Sequence, residues 1–251
     1  MTKQLNYWIL IPARIKSSRL DRKLLKDING KPMISHVISR AKQTSASKIV
    51  VATDSREIKL VAEKSGVDVM ITSGRHPSGS DRIHEAIIKM SAKQEQLVIN
   101  LQGDEPLINP RLVEDLAILK SQNPDVSVAT VATPLDSRIE ISNPNCVKVV
   151  LDKNSLALYF SRSSIPWSID SDITTNYFRH IGIYAFNSGC LGQFIKEKPC
   201  DIEKTEKLEQ LRWLWMGRKI KVLIEKNYAG IGVDTEEDLA KVRKLLKKSN
   251  N

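Results

Sequence analysis

The sequence has few cysteines. Its three, Cys146, Cys190 and Cys200, are widely spaced and form no C-x-x-C pair. An odd number at such spacing argues against a disulfide framework and against a structural zinc site built on cysteine pairs. We therefore expect a protein of a reducing compartment, the cytoplasm.

Long apolar runs are also absent. The run from Tyr7 to Ile11 is far shorter than the ~20 residues that span a bilayer. No N-terminal stretch combines an apolar region with a small-residue cleavage site, so we expect neither export nor membrane insertion.

Aromatic residues make up only 5% of the chain, whereas 39 lysines and arginines against 29 acids give a net charge of +10. Such a surface attracts nucleic acid, anionic lipid or an acidic small molecule. A nucleic-acid-binding protein would need a basic stripe with stacking aromatics or a recognition helix. The basic residues are dispersed apart from one loop and the tail, so nucleic-acid binding is a low-ranked alternative.

Two familiar phosphate-binding patterns, the Walker A loop and the dinucleotide G-x-G-x-x-G, are missing. Instead, five cations crowd the loop that follows the first apolar run: Arg14, Lys16, Arg19, Arg22 and Lys23. Ligands of open α/β sheets bind beyond the carboxyl ends of the strands, where this loop is expected. We interpret it as a phosphate-binding loop, and a solvated basic loop is the alternative.

Apolar runs and helical patterns alternate through the first half of the chain, which predicts a parallel sheet with helices on both faces. The predicted strands are 7–11, 48–53, 67–71 and 97–102. From about residue 126, four strands follow without helices between them, which indicates an antiparallel section or lobe. Helices return at 206–217 and 235–248, and no repeat or linker suggests a second domain.

Two acids are candidate metal ligands. Asp104 follows a buried strand and a glycine in "LQGDEP", and Asp234 lies between a strand end and a helix start in "GVDTEEDL". Mg²⁺ takes one or two carboxylates together with phosphate oxygens. Ordinary polar turns are the alternative for both residues, since acids are also favoured near helix N-termini.

Three further stretches carry candidate binding residues. "HPSGSDR" at 76–82 places small residues before a helix, with a cap at Ser80 as the plain alternative. In "RHIGIY", His180 and Tyr184 share one face of a strand. In "EKLEQLR", Glu209 and Gln210 lie beside the apolar stripe of a helix, where a solvated face is the default.

Taken together, these stretches resemble the 3-deoxy-manno-octulosonate (KDO) cytidylyltransferases, also called CMP-KDO synthetases. The matching strings occur in the family's order over nearly the whole chain: "IPARIKSSRL", "DINGKPMISHV", "IVVATD", "SGSDR", "NLQGDEPLI", "NPNCVKVVLD", "ALYFSRSSIPW", "FRHIGIYAF", "EKLEQLR" and "GVDTEEDL". One departure is "RLDRKLL", where Asp21 and Arg22 replace a Pro-Gly pair.

The resemblance implies an α/β, Rossmann-like nucleotidyltransferase fold with a mixed, mostly parallel sheet flanked by helices and a smaller antiparallel lobe used in dimerisation. It implies one domain, 1–251, with a nucleotide-binding core at 1–125 and 219–251 and a sugar-binding and dimerisation lobe at 126–218. The implied reaction is CTP plus KDO giving CMP-KDO and pyrophosphate for lipopolysaccharide synthesis, with Mg²⁺ as cofactor. An 8-amino KDO variant or a sialic acid is the alternative acceptor.

The resemblance also assigns residues. Those implied to bind CTP are Pro12, Ala13, Arg14, Arg19, Lys23, Ser78, Gly79, Arg82 and Gln102. Those implied to bind the sugar are Gln102, Arg162, His180, Tyr184, Glu209 and Gln210. Asp104 and Asp234 are the implied metal ligands, and they share the implied catalytic role with Arg14 and Lys23.

Overall fold

The computed structural model describes residues 5–17, 19–169 and 176–248. Its strands are β1 (Tyr7–Ala13), β2 (Asp27–Ile28), β3 (Lys31–Pro32), β4 (Lys48–Thr53), β5 (Asp68–Ile71), β6 (Leu97–Asn100), β7 (Val128–Leu135), β8 (Lys148–Leu151), β9 (Ala157–Ser161), β10 (Tyr177–Asn187) and β11 (Ile220–Ile224). Its helices are α1 (Met33–Ala41), α2 (Arg56–Lys64), α3 (Gly79–Lys89), α4 (Pro110–Gln122), α5 (Arg138–Ser142), α6 (Ser188–Lys196), α7 (Asp201–Glu206), α8 (Gln210–Trp215) and α9 (Glu236–Lys248).

A mixed sheet in the order β11-β7-β10-β6-β1-β4-β5 forms the spine of the molecule. β1 is parallel to β4 and β6, β4 to β5, and β7 to β11, whereas β10 runs antiparallel between β6 and β7. The predicted α/β class with a mostly parallel spine is confirmed. The carboxyl ends of β1, β4 and β6 meet at one edge, where their following loops lie side by side.

The antiparallel strands expected after residue 126 are present. β7 and β10 belong to the central sheet itself, and β8 and β9 extend from β10 as an antiparallel pair. The short helix α5 lies between β7 and β8, although no helix was predicted there. The division of the chain into a nucleotide core and a sugar lobe stays a prediction.

Both faces of the sheet are buried. Side chains alternate along β1, so that Ile9 and Ile11 pack with helices α1, α2, α4 and α9, while Leu10 packs with α3, α6 and α8. This explains why the strands read as continuous apolar runs. Within the described part of the chain, no helix is long and apolar enough to cross a membrane.

Helix ends follow the local chemistry of the sequence with two corrections. Thr235 and Asp238 cap α9 reciprocally, as predicted, because each side chain accepts the other's backbone N–H. The cap of α3 is Ser78, which accepts from Asp81 N, and not Ser80. The helix predicted over 206–217 is interrupted: α7 ends at Glu206, and Lys207 adopts a left-handed conformation with φ 53°.

Candidate functional site

A cavity of about 220 Å³ opens at the carboxyl ends of β1 and β6. Its walls come from the basic loop, the start of α3 and the turn after β6. The lining residues are Pro12, Arg14, Lys16, Ser17, Arg19, Lys23, Leu24, His76, Pro77, Ser78, Gly79, Arg82, Gln102, Gly103 and Asp104. The structure thus brings together all the predicted CTP-binding residues except Ala13, which is fully buried at the end of β1.

Lys23 joins the two candidate metal ligands. Its ammonium lies 2.5 Å from Asp104 Oδ2 and 3.0 Å from Asp234 Oδ1, and Arg19 lies 2.8 Å from the same Asp234 oxygen. Burial disfavours the charged ammonium, but the two carboxylates outweigh it and raise the pKa of Lys23. Two acids that are distant in the chain therefore converge on one cation beside the cavity.

The backbone holds this convergence in place. Val233 N donates to Asp104 O at 2.9 Å, which lays the loop after β11 against the turn after β6. Asp238 Oδ2 accepts from Asp234 N at 3.1 Å, so the capping box of α9 also fixes the aspartate. The acid pair is thereby anchored from both sides.

The donor set suits a hard cation that arrives with a nucleotide. Two carboxylates share one position, and Mg²⁺ takes one or two carboxylates, completing its octahedron with phosphate oxygens and water. Among residues 5–17, 19–169 and 176–248, no cluster of three or more His, Cys, Asp or Glu forms a closed metal site. The arrangement fits Mg²⁺ with its substrate and does not fit structural zinc.

Arg82 forms the cavity wall opposite the basic loop and is only 3% exposed. Its guanidinium donates to Thr72 Oγ1 at 2.5 Å and to Asp54 Oδ2 at 3.1 Å. Asp54 Oδ1 in turn accepts from Ile15 N at 3.2 Å, which ties the wall to the start of the basic loop. Sequence reasoning missed Asp54 and Thr72 because nothing local marks either as a partner of Arg82.

His76 lines the same cavity and was also missed, although it opens the "HPSGSDR" stretch. Its Nε2 contacts Glu85, which also accepts from Ser73 N at 2.8 Å and pairs with Lys89 at 2.6 Å. Burial opposes ionisation of Glu85, but bonds from Lys89, the Ser73 amide and His76 prevail and lower its pKa to about 2. A permanently charged Glu85 therefore holds the imidazole at the cavity wall.

A second, much smaller cavity of about 20 Å³ adjoins the first. It is lined by Ser80, Asn100, Val128, Tyr184, Phe186, Leu191, Glu209, Gln210 and Trp213. Three of the predicted sugar-binding residues, Tyr184, Glu209 and Gln210, meet there. Gln102 connects the two cavities, because its amide donates to Asn100 Oδ1 at 3.1 Å.

Glu209 stands at the start of α8, directly after the interruption at Lys207. Its Oε2 accepts from Ser80 Oγ at 2.6 Å, whereas its buried Oε1 has no hydrogen-bond partner among the described residues. Burial raises the pKa of Glu209, although bonds from Ser80 and Ser78 and the charge of Arg212 oppose the shift. Oε1 lies 3.9 Å from a guanidinium nitrogen of Arg212, so its charge is partly balanced while it stays free to accept a hydrogen bond.

His180 lies on the same face as Tyr184, as predicted, with ring centroids 5.5 Å apart. The Thr130 hydroxyl donates to Ile183 O at 2.8 Å, so it accepts from His180 Nε2 at 2.9 Å and fixes the Nε2–H tautomer. Burial lowers the pKa of His180 to about 3, and the ring is neutral at physiological pH. Thr130 had no signal in the sequence.

Arg162 is placed apart from the other predicted sugar-binding residues. Its guanidinium donates to Glu206 O at 2.7 Å and Pro144 O at 2.9 Å, and it lines neither cavity among the described residues. It braces the turn that leads to Glu209. A contact between Arg162 and a substrate carboxylate stays a prediction.

An α/β sheet with a cationic cavity and a converging acid pair at its strand ends defines a nucleotide-binding transferase. Residues 8–220 match the sequence model of the cytidylyltransferase family. The 3-deoxy-manno-octulosonate cytidylyltransferase 1 of Actinobacillus pleuropneumoniae serotype 5b is 45% identical over 96% of this chain and 100% of its own length. The chain belongs to the 3-deoxy-manno-octulosonate cytidylyltransferase family.

Other relatives and solved structures agree. The enzyme of the same name from Glaesserella parasuis serovar 5 is 45% identical over 96% of this chain and 98% of its own. A CMP:2-keto-3-deoxy-manno-octonic acid synthetase solved with CTP superposes with TM-score 0.90 and 39% identity, covering 97% and 99% of the two chains. A Leptospira borgpetersenii cytidylyltransferase, at 16% identity and TM-score 0.62 over 99% and 96%, shares the fold. The predicted nucleotidyltransferase fold is confirmed.

Proposed function

We propose that the protein transfers the cytidylyl group of CTP to KDO, giving CMP-KDO and pyrophosphate for lipopolysaccharide synthesis. The observation that carries the proposal is the convergence of Asp104 and Asp234 on Lys23 at the edge of a cationic cavity. The names of the relatives and of the CTP-bound structure support the choice of nucleotide and sugar.

The basic loop neutralises the triphosphate. Arg14, Arg19 and Lys23 all line the cavity, and their mutual repulsion is relieved when a polyanion binds between them. Nucleotidyl transfer leaves little covalent work to the protein, so that positioning and charge neutralisation carry the rate. The anomeric hydroxyl of the sugar releases its proton to solvent, and its oxygen forms a bond to the α-phosphorus as the bond from that phosphorus to pyrophosphate breaks. The loop retains the departing charge.

Asp104 and Asp234 are the residues that would hold Mg²⁺. The bound ion would supply Lewis-acid polarisation of the phosphate and orient the attacking oxygen. Lys23 now neutralises the acid pair, and an incoming triphosphate offers its ammonium an alternative anionic partner.

The second cavity receives the sugar. Tyr184, Glu209 and Gln210 line it, and Gln102 links it to the nucleotide cavity through Asn100. His180 lines neither cavity among the described residues; it is neutral, bonded to Thr130 and packed against Tyr184, and it is not required as a general base. Glu209 Oε1 accepts no hydrogen bond from the described residues and is therefore available to accept one from a sugar hydroxyl.

The test is pyrophosphate release from CTP with KDO, 8-amino KDO or a sialic acid, each with and without Mg²⁺. We expect release with KDO at the highest kcat/KM and only when Mg²⁺ is present. If another of these acids gives the highest kcat/KM, that acid would replace KDO as the proposed acceptor. Failure to consume CTP with any of these acids would overturn it.

We also propose a cytoplasmic homodimer formed through the 126–218 segment. Five large apolar side chains among the described residues of this segment are strongly exposed: Ile139 at 84%, Leu158 at 59%, Trp167 at 81%, Ile169 at 90% and Trp215 at 65%. Surfaces of this kind mark association sites. Light scattering after gel filtration should give twice the chain mass for the wild type and a monomer for Trp167→Ser. A wild-type monomer at micromolar concentration would contradict the dimer.

A further inference from the structure

The loop that brings Asp234 to the cavity has no regular structure of its own. Residues 225–235, all of them described, lie between the end of β11 and the start of α9 and belong to neither. One backbone bond, from Val233 N to Asp104 O, joins the loop to the turn after β6. This bond fixes the part of the loop next to Asp234, the candidate metal ligand. It does not by itself fix the residues that come before it.

A side-chain contact supplies the second attachment. Tyr228 donates its hydroxyl hydrogen to Glu105 Oε2 at 2.9 Å, and Glu105 is the residue directly after Asp104. The Tyr228 ring packs against the core, with the Arg179 guanidinium 5.6 Å from its centroid. The loop is therefore tied to the turn at both Tyr228 and Val233, on either side of its glycines.

Two glycines make this contact possible. A Cβ at Gly232 would stand 2.9 Å from Glu105 Oε1, and a Cβ at Gly230 would overlap the Tyr228 ring. At both positions only glycine, which has no Cβ, allows the loop to approach the turn this closely. The loop is shaped around the Glu105–Tyr228 pair.

We propose that Glu105 and Tyr228 are positioning residues that keep Asp104 and Asp234 close enough to share one divalent cation. Among the described residues, neither of the two lines the nucleotide cavity, so they act through the aspartates and not on the nucleotide. This inference rests on the proposed function, because it takes the aspartates as the metal ligands. Side chains that orient metal ligands commonly affect metal affinity or activity by 10–100-fold.

The decisive variant is Tyr228→Phe, which removes one hydroxyl and keeps the ring. Calorimetry on the full chain would compare binding of Mn²⁺-loaded CTP with binding of metal-free CTP, with no sugar present. We expect the dissociation constant of the Mn²⁺ complex to rise about tenfold while that of metal-free CTP stays within about twofold. The matched control is Tyr7→Phe, whose hydroxyl lies 3.5 Å from Ser45 Oγ at the start of β1. It should change neither constant.

Glu105 is tested by a rescue pair, Glu105→Ala and Glu105→Gln. The amide oxygen of glutamine can accept from Tyr228, so Glu105→Gln should retain Mn²⁺-CTP affinity within about threefold, whereas Glu105→Ala should lose about tenfold or more. Circular dichroism would confirm that each variant is folded.

The outcomes separate the inference from the proposed function. Equal weakening of both ligands in Tyr228→Phe, or no change in either, would overturn the positioning role. Wild-type protein that binds Mn²⁺-CTP no more tightly than metal-free CTP would overturn the assignment of the aspartates as metal ligands and the inference with it. Pyrophosphate release with KDO tests the reaction separately.

Discussion

The cationic cavity and the small cavity beside it differ in size and in how their polar side chains are paired. The first is open, about 220 Å³, and three of its polar side chains are paired: Lys23 with two aspartates, Arg82 with Asp54, and His76 with Glu85. The second is about 20 Å³, is lined partly by Tyr184, Phe186 and Trp213, and leaves one Glu209 oxygen without a hydrogen bond from the described residues.

In the proposed function, this difference separates the binding of the two substrates. The nucleotide would meet charges that the fold already holds in place and that exchange their present partners for phosphate oxygens. The second cavity has room for about one water molecule, so an eight-carbon sugar can enter only if the walls of the cavity move apart. Variants of the first cavity should therefore affect the nucleotide, and variants of the second should affect the acceptor.

The largest effect is expected for Asp104→Ala. Loss of one carboxylate of the converging pair removes a metal clamp worth several kcal/mol, so kcat should fall by about three orders of magnitude or more. The charge-matched control is Asp115→Ala, which removes an acid paired with Arg111 on the surface of α4 and should leave kcat unchanged. Steady-state pyrophosphate release measures both. Near-normal turnover of Asp104→Ala with Mg²⁺ would refute its role.

A smaller effect is expected for Lys23→Ala. The ammonium is the cation that lies deepest beside the acid pair, and its loss should raise KM for CTP by about 10–100-fold. Arg22→Ala is the control from the same loop, because Arg22 pairs with Glu57 outside the cavity. Arg22→Ala should alter KM for CTP by less than about twofold. An equal rise of KM in both variants would mean that the total positive charge of the loop, and not the position of Lys23 beside the acid pair, determines nucleotide binding.

A selective effect on the acceptor is expected for Glu209→Gln. The amide oxygen still accepts from Ser80, but the negative charge that awaits a sugar hydroxyl is gone. KM for KDO should rise about tenfold while KM for CTP stays within about twofold. The exposed Glu197→Gln serves as the control. If both Michaelis constants rose together in Glu209→Gln, the separation of the two cavities would be wrong.

The smallest effect is expected for Arg22→Gly. Arg22 occupies the left-handed region with φ 51°, which is unfavourable for a residue with a Cβ. Glycine adopts this conformation without strain, so the midpoint of thermal unfolding should rise by about 2–4 °C. Arg22→Ala loses the same Glu57 pair but keeps its Cβ, and it should show no such rise. A midpoint of thermal unfolding lower in Arg22→Gly than in wild type would contradict the claim that the backbone of Arg22 is strained.

Local features of the molecule were well predicted from the sequence. β4 was predicted with its bounds and β1 nearly so, because strands buried on both faces read as continuous apolar runs. The Thr235–Asp238 cap is a local pattern and was found as one. The interruption at Lys207 was missed, since the helical apolar period continues across it while Arg162 holds the Glu206 carbonyl.

Contacts between distant segments were beyond the sequence. Periodicity says nothing about strand order, so the antiparallel insertion of β10 between β6 and β7 could not be predicted. Asp104 and Asp234 were identified as candidates, but Lys23 as their shared partner was not. The Glu105–Tyr228 contact joins an acid with no distinguishing pattern to an aromatic in an irregular loop, and only the fold brings them together.

The central claim is that Asp104 and Asp234 act together on one ion, and a double-mutant cycle on kcat tests it most directly. Asp104→Ala, Asp234→Ala and the double variant would be compared with wild type under saturating CTP, KDO and Mg²⁺. If both carboxylates hold the same ion, either substitution removes the contribution of that ion to kcat, and the second substitution removes little more. The double variant should therefore be about as slow as the slower single variant. Losses that multiply, or a single variant that keeps wild-type turnover, would show that the two carboxylates do not share a cation.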